Sequence, residues 1–389
     1  MATGEFAGND MITVRSWEEL RDEVQRRADA QRYPLTGMTS SDVREALAAT
    51  GGKDRDAWAA GWSSVGDRYR AQADAAAASD PQAAAEAYLM AWRYHGFAAW
   101  PTQNTPAKKA AFEKSLDDFR RHAALADPPI ERIQAETPDG PVTFYLQLPA
   151  PSSSGGAPRP VPVLLSYGGL DSYKEYIVER YGPDYLASGF GYAALDIPGT
   201  GESPIRAAPD AIRIYSAVID YLHTRKDIDA SRLAVQGVSQ GGYWAARLAI
   251  AEADRLAAAV YWAGPTHETF QRPWLEKSTN TTEYLFDYLP ARLSIYGART
   301  WDDYLDIVPS MSIATLGLAD APTPEMLLIN GEKDSQTSVE DLYLLLRHGW
   351  PKYAWVNPDG GHLGRSADWP DERILREVII PFLKARLLD

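Results

Sequence analysis

The chain has 389 residues, more than a single core usually grows to, so one large domain with a smaller one appended is expected. Hydrophobic residues make up 45% and charged residues 24%, which excludes disorder, collagen-like repeats and a coiled coil. The formal net charge of −14 argues against a nucleic-acid partner, whose binding needs clustered Lys and Arg.

Cysteine is absent, which removes disulfides, thiolate metal sites and a thiol nucleophile. Residues 1–10 lack the basic and apolar regions of a signal peptide, and no stretch is long and apolar enough to span a bilayer. A cytoplasmic location without a membrane partner is therefore expected.

The first third reads as helices. In 54–76, Trp58, Trp62, Val65, Tyr69 and Ala73 recur at spacings of three and four, forming one stripe of an amphipathic helix. Asp80-Pro81 is an N-cap followed by proline at the first helical position, opening a segment to about Phe97. Thr105-Pro106 opens another carrying Phe112, Leu116, Phe119 and Ala123, and Trp17, Leu20 and Val24 mark an earlier one.

The pattern changes at Asp127-Pro128-Pro129. Two apolar runs, 130–137 and 142–148, flank the turn Pro138-Asp139-Gly140 and predict a hairpin. The Pro-, Ser- and Gly-rich stretch 149–160 predicts an exposed loop. Short β-rich runs then alternate with helix-length segments: 161–167, 192–196, 233–236, 257–262, 326–330 and 353–356. That alternation predicts a mostly parallel sheet with helices on both faces. The expected domains are 1–127, all helical, and 128–389, α/β. Within the latter, 266–309 is too long for a simple crossover. Its Phe270, Trp274, Tyr284, Phe286, Tyr288 and Trp301 suggest extra helices forming a lid over the sheet's edge.

Ligands of open α/β sheets sit at the carboxyl ends of the strands, so chemistry is sought there. Gly237-Val238-Ser239-Gln240-Gly241-Gly242 lies between the strand 233–236 and a helical run. A serine nucleophile needs such a sharp turn, with small residues on both sides and a helix N-terminus beneath it. Asp334 follows the strand 326–330, and His362 follows 353–356 in Asp359-Gly360-Gly361-His362. The order Ser, Asp, His is that of a catalytic triad in this kind of sheet, with Ser239 as nucleophile, His362 as base and Asp334 fixing the imidazole. Of the six histidines, only His348 also follows Asp334, at the end of a Leu-rich helical run.

After the strand 161–167 comes Gly168-Gly169-Leu170-Asp171, where an oxyanion hole would form from backbone N–H groups of Gly169 or Leu170 together with Gln240. The run 196–203 looks structural. His267 and Glu268 follow 257–262, and two readings stand: an accessory acid-base pair, or an exposed helix-starting pair. Tyr94 and His95, with Trp92 and Trp100, either line a substrate cavity or belong to a helical core. No histidine pair falls at metal-ligand spacing, so neither metal nor cofactor is expected.

Together Gly168-Gly169-Leu170-Asp171-Ser172 with Lys174-Glu175, Asp196-Ile197-Pro198-Gly199-Thr200-Gly201, Gly237-Val238-Ser239-Gln240-Gly241-Gly242, Asp334 and Gly361-His362 carry a resemblance over nearly the whole chain. The chain resembles α/β-hydrolases with an N-terminal helical cap domain, a group that includes the fermentation-respiration switch proteins, 2,6-dihydroxypseudooxynicotine hydrolase and fungal polyketide-shortening hydrolases. This implies an α/β-hydrolase fold over 128–389 and a helical cap over 1–127. It also implies hydrolysis of an ester, or of a carbon-carbon bond next to a carbonyl, in a small molecule held between the two domains. The nicotine-pathway member uses an extra glutamate, whose place Glu268 resembles.

The leading expectation is thus a serine hydrolase working through an acyl-enzyme on an ester or β-dicarbonyl bond of an aromatic or polyketide-like molecule. An acyltransferase or cyclase would use the same triad, with another nucleophile replacing water. A non-catalytic regulatory binding protein on the same fold is the third reading. A homodimer is compatible with each.

Overall fold

The computed structural model describes residues 8–150, 159–280, 283–349 and 351–388. Most of the loop expected at 149–160 lies outside them. The chain divides into two compact units, Met1–Ile130 with Asn280–Ser294, and Glu131–Thr279 with Ile295–Asp389.

The first unit is built on five helices: α1 (Trp17–Asp29), α2 (Ser40–Thr50), α3 (Arg55–Ala76), α4 (Pro81–Ala99) and α5 (Pro106–Leu125). Their starts follow the polar signals in the sequence. Ser16 and Glu19 form a reciprocal capping box on α1, and the side chains of Asp54, Asp80 and Thr105 accept backbone N–H groups at the starts of α3, α4 and α5. Each cap satisfies a donor that the helix leaves open and is worth about 1 kcal/mol. The core is aromatic. Trp58 and Trp62 lie 5.1 Å apart between ring centroids, and Phe97 meets Trp62 edge-on at 4.5 Å.

Part of 266–309, expected over the sheet's edge, belongs to this helical unit instead. Leu285 and Phe286 are buried in its aromatic core, and the fully buried Asp287 pairs with Arg55 at 2.7 Å. Those contacts hold Asn280–Ser294 with the helices.

The second unit is an eight-stranded sheet: β1 (Ile130–Ala135), β2 (Val142–Gln147), β3 (Val161–Tyr167), β4 (Gly191–Leu195), β5 (Ile228–Val238), β6 (Ala258–Trp262), β7 (Glu325–Gly331) and β8 (Lys352–Asn357), in the spatial order β1-β2-β4-β3-β5-β6-β7-β8. β2 runs antiparallel to β4, and from β4 to β8 every neighbouring pair is parallel. β4 and β6 are buried along their whole length, as expected of strands covered on both faces. The crossover helices are α6 (Lys174–Ala187), α7 (Arg213–Thr224), α8 (Gln240–Ala251) and α12 (Val339–Arg347), with α9 (Arg272–Lys277), α10 (Tyr288–Tyr296) and α11 (Trp301–Ile307) in the segment between β6 and β7, most of α10 belonging to the helical unit. β5 begins earlier than its apolar run, taking in Asp229, Ser231 and Arg232. This is the α/β-hydrolase fold with a helical region before the sheet. Among the described residues no helix is long and apolar enough to cross a membrane.

Candidate active site

The parallel strands β5, β7 and β8 end on the same side of the sheet, and each is followed by one residue of the Ser-Asp-His set. Ser239 follows β5 directly and precedes α8. Its backbone has φ 56° and ψ −125°, a left-handed conformation that costs a non-glycine residue about 1–3 kcal/mol. Hydrogen bonds hold the turn. The Ser239 N–H donates to the Trp262 carbonyl at 2.8 Å, and the Ser239 carbonyl accepts from the Gly242 N–H at 2.7 Å. The flanking glycines are required by space. A Cβ on Gly237 would stand 1.9 Å from the Gly241 carbonyl oxygen, and one on Gly241 would stand 2.2 Å from that of Gly168.

His362 reaches both partners. Its Nε2 lies 2.8 Å from Ser239 Oγ, and its Nδ1 lies 2.8 Å from Asp334 Oδ2. The other carboxylate oxygen of Asp334 accepts the N–H groups of Gln336 at 2.8 Å and Thr337 at 3.0 Å. The carboxylate therefore cannot rotate without breaking several bonds at once. Backbone bonds join the Asp and His loops, from Lys333 N–H to the Gly360 carbonyl at 2.9 Å and from Glu332 N–H to the Asn357 carbonyl at 3.0 Å. Asp334 and His362 are buried while Ser239 is half-buried. A proton can pass from Oγ to Nε2, and the resulting imidazolium would face a fixed anion.

The loop after β3 approaches the serine: a Cβ on Gly169 would stand 3.2 Å from Ser239 Cβ. The Gly169 N–H, however, donates to Ser172 Oγ at 2.8 Å. Of the expected oxyanion donors Gly169 is thus already committed, which leaves Leu170 and Gln240. Gln240 is the first residue of α8, where an N–H has no partner within the helix. Its side-chain Nε2 lies 3.1 Å from the Tyr296 hydroxyl.

What anchors this loop went unread in the sequence. Lys174, the first residue of α6, is fully buried, and its Nζ lies 2.8 Å from carboxylate oxygens of Glu175, Asp196 and Glu202. Its backbone N–H also donates to Asp196 at 2.9 Å. Burial opposes its charge, but the three carboxylates outweigh that and hold it well above the ordinary lysine value. Burial pushes the Glu175 carboxyl up to about 7 against the pull of Lys174. Asp196 is accordingly structural, as its motif suggested.

His267 and Glu268 sit at the start of a short turn braced by Asp341 from α12. Asp341 is fully buried, and its carboxylate accepts the N–H groups of His267 at 2.6 Å, Glu268 at 2.7 Å and Thr269 at 3.1 Å. Burial raises its pKa while those bonds lower it, with the balance upward. His267 Nδ1 lies 2.8 Å from Ser312 Oγ. Glu268 is half-buried, and among the described residues its carboxylate makes no hydrogen bond to Ser239, Asp334 or His362.

Tyr94 and His95 belong to the packed core of the helical unit rather than to a cavity wall. The Tyr94 hydroxyl accepts the Thr39 N–H at 3.2 Å, and its ring stacks on Tyr69 at 5.6 Å. Both nitrogens of His95 face carboxylates, Asp118 at 2.5 Å and Asp67 at 3.1 Å. Among the described residues no group of three or more His, Asp or Glu side chains is arranged to hold a metal ion.

A family model described as FrsA-like esterase matches residues 38–344. The chain is similar to Hydrolase ORFZ of Pyricularia oryzae, 32% identical over 237 residues, with 54% of this chain and 54% of that protein covered. It is also similar to 20-hydroxy-prefusarin hydrolase FUS2 of Gibberella moniliformis, 30% identical over 242 residues, covering 58% of this chain and 57% of that one. The chain thus spans about half the length of the curated relatives it matches. In structure it is similar to 2,6-dihydroxy-pseudo-oxynicotine hydrolase, with a TM-score of 0.73 at 21% identity over 95% of both chains. It is similar as well to AbyA5, with a TM-score of 0.70 at 22% identity over 95% of this chain and 94% of that one. At those identities the two structures speak for the fold, whereas the family match extends over most of the sequence. This chain belongs to the FrsA-like esterase family and is an α/β-hydrolase enzyme.

Proposed function

We propose that the chain is a serine hydrolase that works through an acyl-enzyme on Ser239. The observation that carries this is the unbroken hydrogen-bond chain from Ser239 Oγ through the His362 ring to Asp334, at 2.8 Å for each link. His362 removes the hydroxyl proton as Oγ attacks the substrate carbonyl, and Asp334 holds the ring and balances its charge. The N–H groups of Leu170 and Gln240 receive the oxyanion. Collapse of the tetrahedral intermediate breaks the bond to the leaving group, which takes the proton from His362. Water, deprotonated by His362, then releases the acid and restores Ser239.

The substrate class we assign is an ester, or the carbon-carbon bond of a β-dicarbonyl group, in an aromatic or polyketide-like small molecule. The names of the relatives support this reading, since one hydrolase acts on 20-hydroxy-prefusarin and another on 2,6-dihydroxy-pseudo-oxynicotine. In the carbon-carbon case the leaving group is an enolate that His362 protonates. Glu268 is then the candidate for a second acid-base group.

The test is covalent labelling. A fluorophosphonate probe should modify Ser239 in the wild type and leave Ser239→Ala unmodified, with labelled peptide mapped by mass spectrometry. A folded wild-type protein that resists the probe would overturn the proposal. Parallel assays on p-nitrophenyl esters and aryl β-diketones would separate the two bond types.

A further inference from the structure

We propose that Trp262 is a positioning residue that sets the distance between nucleophile and base, a role that rests on the serine-hydrolase reading above. Trp262 is the last residue of β6, in register with Val238 of β5 on one side and Ile329 of β7 on the other. It touches the backbone beside both reacting side chains. Its main-chain carbonyl accepts the Ser239 N–H at 2.8 Å. Its indole Nε1–H donates to the carbonyl of Leu363, the residue after His362, at 2.7 Å.

The two peptides it holds are strained ones. Ser239 has φ 56° and Leu363 has φ 67°, both in the left-handed region that non-glycine residues avoid. Such conformations persist only where surrounding contacts hold them. For Leu363 the indole bond supplies that restraint, and the ring that makes it is immobile: Trp262 is fully buried, with Tyr181 packed near it at 6.1 Å between ring centroids. Burial alone does not account for the bond. Trp62 and Trp244 are equally buried, yet their indole N–H groups have no hydrogen-bond partner. Trp262 therefore acts as a strut between the two loops, and the 2.8 Å separation of Ser239 Oγ from His362 Nε2 is set partly by its length.

Proton transfer is sensitive to displacements well under 1 Å, so loss of the strut is felt in the chemical step more than in binding. Trp262→Phe keeps the backbone carbonyl and an aromatic ring but removes the N–H. It should lower kcat on a p-nitrophenyl ester by about ten- to a hundredfold while KM stays within about twofold. The second-order rate of fluorophosphonate labelling should fall with it. Leu363→Gly in that background, which permits φ 67° without strain, should recover most of the kcat lost in Trp262→Phe. A purely structural tryptophan would lower the melting temperature, leave kcat of the folded enzyme unchanged, and show no rescue by glycine.

Should Trp262→Phe fail to fold, benzothienylalanine at position 262 replaces N–H by sulfur within the same bicycle, and the same loss of kcat is expected. An unchanged kcat and labelling rate in either variant, or the absence of rescue by Leu363→Gly, overturns the proposal. Failure of the underlying reading looks different, because the wild type itself would then resist the probe.

Discussion

Each unit contains a buried histidine hydrogen-bonded to a buried aspartate, and what lies on the second ring nitrogen separates their roles. In the sheet unit His362 has Asp334 on Nδ1 and the Ser239 hydroxyl on Nε2. In the helical unit His95 has Asp118 on Nδ1 and Asp67 on Nε2. A hydroxyl can donate its proton to a ring nitrogen. Both ring nitrogens of His95 are instead taken by carboxylates. Around His95 the carboxylates are in turn paired with Arg70 and Lys114. His362 thus links a hydroxyl to a carboxylate, whereas His95 on α4 ties together carboxylates of α3 and α5.

That contrast can be broken most severely at Asp334. Asp334→Asn removes the charge that balances the imidazolium and presents an amide to Nδ1, and kcat should fall by about 10⁴ with little change in the melting temperature. A loss under about tenfold, measured by steady-state kinetics on an ester, would mean that His362 acts without its carboxylate. A smaller effect of the opposite kind is expected for His95→Gln. It should cost about 1.5–3 kcal/mol of stability, the range for hydrogen bonds to charged groups, and leave kcat of the folded enzyme unchanged. Denaturant titration with active-site counting checks both halves. A folded His95→Gln protein that is inactive would erase the distinction between the two histidines.

The smallest effect concerns a buried lysine of the helical unit. Lys108 lies fully buried, 4.0 Å from Asp287, and burial pushes its pKa down to about 7, with Asp287 opposing and Arg55 assisting. Below pH 7 the amine is protonated both folded and unfolded. Between about 7 and the ordinary 10.5 only the unfolded chain keeps the proton, so its contribution to stability grows as pH rises through that window. Lys108→Met should abolish this rise and add about 1–2 kcal/mol at pH 6, because a poorly paired buried charge is replaced by an apolar chain. Unfolding curves at pH 6, 8 and 9.5 that keep their spacing in the variant would contradict the assignment.

The side chains of the proposed triad were legible because each stands in the loop that follows its own strand, at the carboxyl end of the sheet. His362 falls within hydrogen-bond reach of both Ser239 and Asp334. The starts of α4 and α5 were legible for a similar reason, since caps are local chemistry. Features decided by distant partners were not. No pattern around Asp341 foretells three backbone donors from a turn more than seventy positions away. The segment 266–309 reads as helices over the sheet's edge, yet its Leu285 and Phe286 are buried in the core of the helical unit. Beside them, Asp287 finds its partner Arg55 232 positions away, and no periodicity reports that. The helix α2 was missed because its buried face is made of Val43, Ala46, Leu47 and Thr50, too small a stripe to stand out.

The crowding around the nucleophile turn also bears on how this enzyme could change by mutation. At Gly237 and Gly241 the opposing backbone already occupies the space that one methyl carbon would need. Alanine at either place would push the strand and helix apart and carry Ser239 away from His362 without altering any group that reacts. On the proposed mechanism, catalysis would therefore be lost through a substitution that changes none of the three triad side chains. Diversification toward new substrates has to proceed elsewhere in the molecule, around a turn that admits no variation in bulk.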